Sequence, residues 1–153
     1  MKAINLKCEY LINPIGIDIQ NPRLMWNCDG GIKQTAFRII AKSDGKIVWD
    51  SGKVNSSSMY AEYPHKLKSR ERVEWTVTLR DENNREGEPS ETAYFETGLL
   101  AASDFTAKWI SGNYRVNKKK RYPVDCFKKQ FTAQNIAKAR LYITACGQKN
   151  LWQ

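Results

Sequence analysis

Histidine is all but missing from these 153 residues: His65 stands alone, beside Pro64 in the polar stretch Tyr63-Pro64-His65-Lys66. That reads as a surface loop position, not a ligand or base. Four cysteines, Cys8, Cys28, Cys126 and Cys146, lie 20, 98 and 20 residues apart, so no C-x-x-C pair exists. One histidine and no cysteine cluster leave little for a metal site or a nucleophile–histidine relay, and none is expected. Long apolar runs are also lacking. None exceeds the four residues of Leu99-Leu100-Ala101-Ala102, and Ala36-Phe37 and Ile39-Ile40-Ala41 are shorter still, which excludes a membrane helix. The opening Met1-Lys2-Ala3-Ile4-Asn5-Leu6-Lys7 has charge but no leader-length apolar stretch and no small-residue cleavage site. A cytoplasmic location is the expectation, with export of a parent protein left open, and the four thiols are expected to be reduced and mostly buried. Glycine-rich phosphate loops, a Gly-x-Ser-x-Gly elbow and a dinucleotide fingerprint are all absent, so no cofactor is expected.

What is present suits a folded domain: 41% apolar, 27% charged and 11% aromatic residues. A chain this long buries roughly 68–70% of its unfolded surface. Its formal net charge of +9 is unevenly placed. Residues 1–100 hold 14 basic and 14 acidic side chains, whereas residues 101–153 hold 11 basic ones against only Asp104 and Asp125. The densest part, Lys118-Lys119-Lys120-Arg121, comes with no zinc-finger spacing, RNA-binding aromatic signature or basic heptad helix. It reads as a solvated basic loop, with neither nucleic acid nor membrane as partner.

The secondary-structure signal is strand throughout. In Val73-Glu74-Trp75-Thr76-Val77-Thr78-Leu79-Arg80 the apolar residues alternate strictly with polar ones, the mark of a half-buried antiparallel strand. Gln34-Thr35-Ala36-Phe37-Arg38-Ile39-Ile40-Ala41 and Ile47-Val48-Trp49 flank an Asp44-Gly45 turn and predict a hairpin. Shorter strands are expected at Arg23-Leu24-Met25-Trp26, at Met59-Tyr60-Ala61 and over residues 91–97. Only residues 133–140 suggest a helical turn. Residues 1–98 therefore predict a fibronectin type III/immunoglobulin-like antiparallel β-sandwich, with Trp26, Phe37 and Trp75 inside. Residues 99–153 predict a linker and the first strands of an incomplete second β-sandwich, at 108–110, 126–131 and 139–144; the chain as a whole is all-β.

The 16 carboxylates offer no marked acid–base pair, since most fall in turns or on open strand faces. The remaining chemical device is an aromatic platform for a sugar ring. Trp49, Tyr60 and Tyr63 are the leading candidates, with Tyr114 and Tyr122 beside them; packing in the core or against a neighbouring domain is the competing role for each.

Several segments carry a family resemblance together. They are Leu6-Lys7-Cys8-Glu9-Tyr10-Leu11-Ile12-Asn13-Pro14-Ile15-Gly16-Ile17-Asp18, Asn21-Pro22-Arg23-Leu24-Met25-Trp26, Gln34-Thr35-Ala36-Phe37-Arg38-Ile39, Val48-Trp49-Asp50-Ser51-Gly52-Lys53-Val54, Tyr94-Phe95-Glu96-Thr97-Gly98-Leu99-Leu100 and Ala107-Lys108-Trp109-Ile110. In this order they resemble the N-terminal region of bacterial α-L-rhamnosidases of glycoside hydrolase family 78. The resemblance implies a fibronectin type III-like sandwich, then a second sandwich opened by the Lys-Trp-Ile strand, and much later a helical barrel with the general acid and base. No catalytic position of that barrel is carried here, so the chain itself is expected to be inactive. Its implied role is a non-catalytic accessory region of an enzyme that hydrolyses terminal α-L-rhamnosyl bonds, with the catalytic domain and rhamnose-containing glycans as partners. After Gly147 the family pattern continues with a tyrosine-containing strand and an Asn-Gly turn, where this chain has Gln148-Lys149-Asn150-Leu151-Trp152-Gln153. The expectation is a fragment with an open sheet edge, forming a homo-oligomer through residues 101–153. A free-standing carbohydrate-binding or adhesive fibronectin-like module is the alternative.

Overall fold

The computed structural model describes residues 1–115, 117, 119–123 and 125–144. The chain divides into two units, Met1–Ala107 and Lys108–Gln153. Among the described residues the first unit carries nine strands: β1 (Lys2–Cys8), β2 (Ile15–Ile17), β3 (Arg23–Asp29), β4 (Ala36–Ser43), β5 (Lys46–Asp50), β6 (Val54–Asn55), β7 (Tyr60–Glu62), β8 (Arg72–Arg80) and β9 (Ala93–Thr97). They form a three-stranded sheet in the order β1-β3-β7 and a larger sheet in the order β2-β9-β8-β4-β5, with β6 paired to β4. This is the expected sandwich. The one helical element among the described residues is a 3₁₀ turn at Ala102–Asp104.

The larger sheet is built around β8, whose alternation places Val73, Trp75, Val77 and Leu79 fully inside. Register explains how so large a ring as Trp75 fits in the middle. It stands opposite Ala41 on β4 and opposite Ala93 on β9. Directly opposed residues have Cβ atoms about 5 Å apart, so only a small side chain on each flank leaves room for an indole. The hairpin β4–β5 turns at Asp44 (φ 48°) and Gly45 (φ 75°), both left-handed, as the two-residue turn of the expected hairpin requires.

The smaller sheet closes the core from the other side with Ala3, Leu6 and Cys8 of β1 and Leu24 and Trp26 of β3. Trp26 meets Phe37 edge-on, ring centres 5.0 Å apart, which ties the two layers together. Its indole N–H donates to Gln34 Oε1 at 2.9 Å, and the buried Gln34 amide donates to the carbonyls of Ser56 (3.0 Å) and Ser58 (2.8 Å). All three residues expected inside, Trp26, Phe37 and Trp75, are buried.

The second unit differs from its sequence reading. Among its described residues no strand or helical turn forms, neither at 108–110, 126–131 and 139–144 nor at 133–140. A strand is a paired object, and alternation within one segment supplies no partner. Trp109, Ile110, Phe131 and Leu141 are accordingly exposed. The thiols also divide: Cys8 is buried, Cys28 half-buried and Cys126 exposed, so burial does not extend to Cys126; Cys146 lies outside the described residues.

Candidate functional site

The aromatic residues singled out in the sequence do not come together as a platform. Tyr63 is only 2% exposed. Its ring is enclosed edge-on by Trp49 (5.7 Å), His65 (5.8 Å) and Phe95 (5.7 Å). Its backbone is pinned by an N–H donated to Pro22 O at 3.0 Å and a carbonyl that accepts from Asn21 Nδ2 at 2.8 Å. Burial pushes its hydroxyl above the ordinary tyrosine range, with Glu71 adding to the shift. With both faces covered, Tyr63 cannot stack on a sugar; it is a core residue. Trp49 is half-buried against it and belongs to the same packing. Tyr60 sits apart from that packing, exposed on the smaller sheet opposite Met25. In the second unit Tyr114 and Tyr122 stack on each other, 4.8 Å between centres, and Tyr114 donates to Asp125 Oδ2 at 3.2 Å.

A feature the sequence did not reveal is the connection between β1 and β2. Cys8 and Leu11 exchange both backbone hydrogen bonds at 2.9 Å, closing a two-residue turn. Its central residues, Glu9 (φ 49°) and Tyr10 (φ 66°), both lie in the left-handed region that side chains with a Cβ avoid. Arg23 holds them there. The Glu9 carboxylate accepts from Arg23 N at 2.6 Å and from Nε and Nη2 of its guanidinium, the closer at 2.6 Å. The same guanidinium lies 5.1 Å from the centre of the Tyr10 ring. These hydrogen bonds hold the Glu9 carboxyl below the usual carboxylate range despite the opposing effect of burial. Farther on, Asn13 Oδ1 accepts from Tyr94 N and Pro14 O accepts from Glu96 N, both at 2.9 Å. The segment is thus sewn to β9. It holds up Tyr10, Leu11 and Ile12, which are 61, 56 and 71% exposed. The signal in the sequence was the run Tyr10-Leu11-Ile12 directly before Asn13-Pro14, apolar residues where a turn calls for polar ones.

The outer face of the larger sheet is different in kind. Arg38 donates to Asp50 at 2.5 Å, Arg80 pairs with Glu86, and Arg72 pairs with Glu74 while covering the Tyr94 ring. Arg38, Lys53, Arg80 and Glu86 border a shallow depression of about 240 Å³. That is small beside an ordinary ligand pocket. Lys53 donates to Asn84 Oδ1 at 2.8 Å, so its cations are already engaged. Among the described residues no group of three or more His, Cys, Asp and Glu is placed to hold a metal ion.

Two facing sheets, antiparallel except for the short β2–β9 pairing, and the core they share define a fibronectin type III/immunoglobulin-like sandwich. Residues 3–101 match the family described as the Rha78A-like, N-terminal immunoglobulin domain. The chain belongs to that family. An α-L-rhamnosidase of Streptomyces avermitilis is 39% identical over 123 residues, covering 72% of this chain and 12% of the relative. One from an Alteromonas species is 32% identical over 165 residues, covering 95% of this chain and 18% of the relative. The solved structure of the Streptomyces avermitilis α-L-rhamnosidase complexed with L-rhamnose superposes with a TM-score of 0.66 at 36% identity, over 72% of this chain and 12% of that one. The chain therefore spans less than a fifth of the length of these relatives, at their N-terminal region.

Proposed function

We propose that this chain serves as the non-catalytic front sandwich of an α-L-rhamnosidase, carrying and positioning the part that hydrolyses terminal α-L-rhamnosyl bonds. The observation that carries this reading is the family match over residues 3–101, combined with relatives in which that region is less than a fifth of the enzyme. Its first partner is then the catalytic domain, covalently attached. Four carboxylates support the reading: Glu9, Asp50, Glu82 and Asp104 are each shifted down by hydrogen bonds, whereas a glycosidase general acid is shifted up. Deleting the matching segment from the Alteromonas enzyme should lower its thermal inactivation midpoint, and inserting this chain in its place should restore it. A deletion that leaves stability and turnover unchanged overturns the scaffold role.

Two further contacts belong to the same reading. Exposed Tyr60 is the residue left to touch a rhamnose-containing glycan, which Tyr60→Ala should abolish in a fluorescence titration with rhamnose oligosaccharides. Exposed Trp109, Phe131 and Leu141 favour self-association through residues 101–153. Light scattering should then give a mass that rises with concentration; a constant monomer mass overturns it.

A further inference from the structure

We infer that the tip between β1 and β2 is a docking surface for an apolar patch on a later domain of the same polypeptide. This rests on the scaffold reading above and names the face it uses. Tyr10, Leu11, Ile12, Ile15 and Ile19 are all exposed on one short segment, from 42 to 71% each. A solvated turn would carry Asn-Gly here; instead Glu9 and Tyr10, both bearing a Cβ, accept left-handed backbone. Strain retained against that preference, and held by the Glu9–Arg23 clamp, points to a presented shape.

Charge and area identify the occupant. The charges beneath the tip, Glu9 and Arg23, neutralise each other, and the guanidinium lies against Tyr10, so Asp18 is the one exposed charge set among the five apolar side chains. The outer face of the larger sheet, with its three arginine–carboxylate pairs, is made for water. Five side chains at these exposures offer on the order of 500 Å². A second copy or free protein needs about 800 Å² from each partner, which this patch does not supply. A tethered domain needs less, because attachment supplies an effective concentration in the millimolar range. More than four-fifths of each matched relative lies outside this region, so such a domain is at hand.

The test replaces the matching segment of the Alteromonas enzyme with the 153-residue chain and compares hydroxyl-radical footprints of the fusion and the free chain. Tyr10, Leu11 and Ile12 should label at least about five-fold more slowly in the fusion. Leu11→Ser with Ile12→Ser should lower the thermal midpoint of the fusion while leaving that of the free chain unchanged. Protection of another face of residues 1–107, with the tip labelled as before, overturns this docking surface but keeps the scaffold reading. No protection anywhere overturns both. Protection of the tip in the concentrated free chain, lost on dilution, assigns it to a second copy and overturns the inference.

Discussion

Replacing Gln34 by leucine tests whether the sandwich is held by one buried amide as well as by its rings. Leucine has similar volume, so little cavity is created. Four hydrogen bonds are lost: two accepted, from Trp26 Nε1 and the Cys28 thiol, and two donated to the Ser56 and Ser58 carbonyls. The Trp26 ring is buried, so its stranded N–H costs about 1–3 kcal/mol. The two carbonyls are part-buried and cost about 0.5–1.5 kcal/mol each. Burying leucine returns about 1 kcal/mol of this, leaving a net loss of about 1–5 kcal/mol, centred near 3. Urea unfolding followed by tryptophan fluorescence should show a lower midpoint with an unchanged m value. The thermal midpoint should fall by about 10–20 °C for a unit of this size. A loss below about 0.5 kcal/mol would refute the claim that Gln34 fastens Trp26 to the loop before β7.

Other outcomes follow from the charge pairs and the packing. Arg38 and the Gly52 N–H lower the Asp50 carboxyl to about 2, and Arg23 lowers Glu9. Both contribute stability above an ordinary carboxylate pKa of about 4 that is lost as pH falls toward 2, so Asp50→Asn should flatten the acid limb of a stability–pH curve; an unchanged limb contradicts the pairing. Burial, with Glu9 adding to it, pushes the Cys8 thiol up to about 12, so at pH 8 iodoacetamide should modify Cys126 rapidly and Cys8 only on unfolding. Equal rates by mass spectrometry would contradict that placement. Tyr63→Ala should cost about 3–5 kcal/mol by chemical denaturation and Tyr60→Ala within about 0.5, and the reverse order would overturn the assignment of Tyr63 to the core. Ala41→Leu should cost about 1–3 kcal/mol by crowding Trp75, and a neutral result would refute the size-matched row.

Local pattern explains what was legible. β8 and the β4–β5 hairpin obey a period of two and an Asp-Gly turn, both written in adjacent residues. β1 was not legible because its inward residues are Ala3, Leu6 and Cys8. The irregularity around Asn5 (φ 52°) breaks the alternation, and only pairing with β3 reveals it. β2 is three residues long and pairs in parallel with β9, too short and too distant to announce itself. Tyr63 looked like a loop aromatic beside Pro64. Its burial depends on hydrogen bonds joining its own backbone to the Asn21 side chain and the Pro22 carbonyl, some forty positions away. The Glu9–Arg23 clamp likewise joins residues 14 apart on different strands. In residues 108–144 the alternation is visible, but pairing partners are not among the described residues.

The central claim is that this sandwich supports catalysis and does not perform it. The most direct measurement is hydrolysis of an aryl α-L-rhamnoside by the purified 153-residue chain. No release above buffer is the expected result. Sugar release that follows the purified chain and saturates with substrate would contradict the claim and place an acid–base pair within these residues.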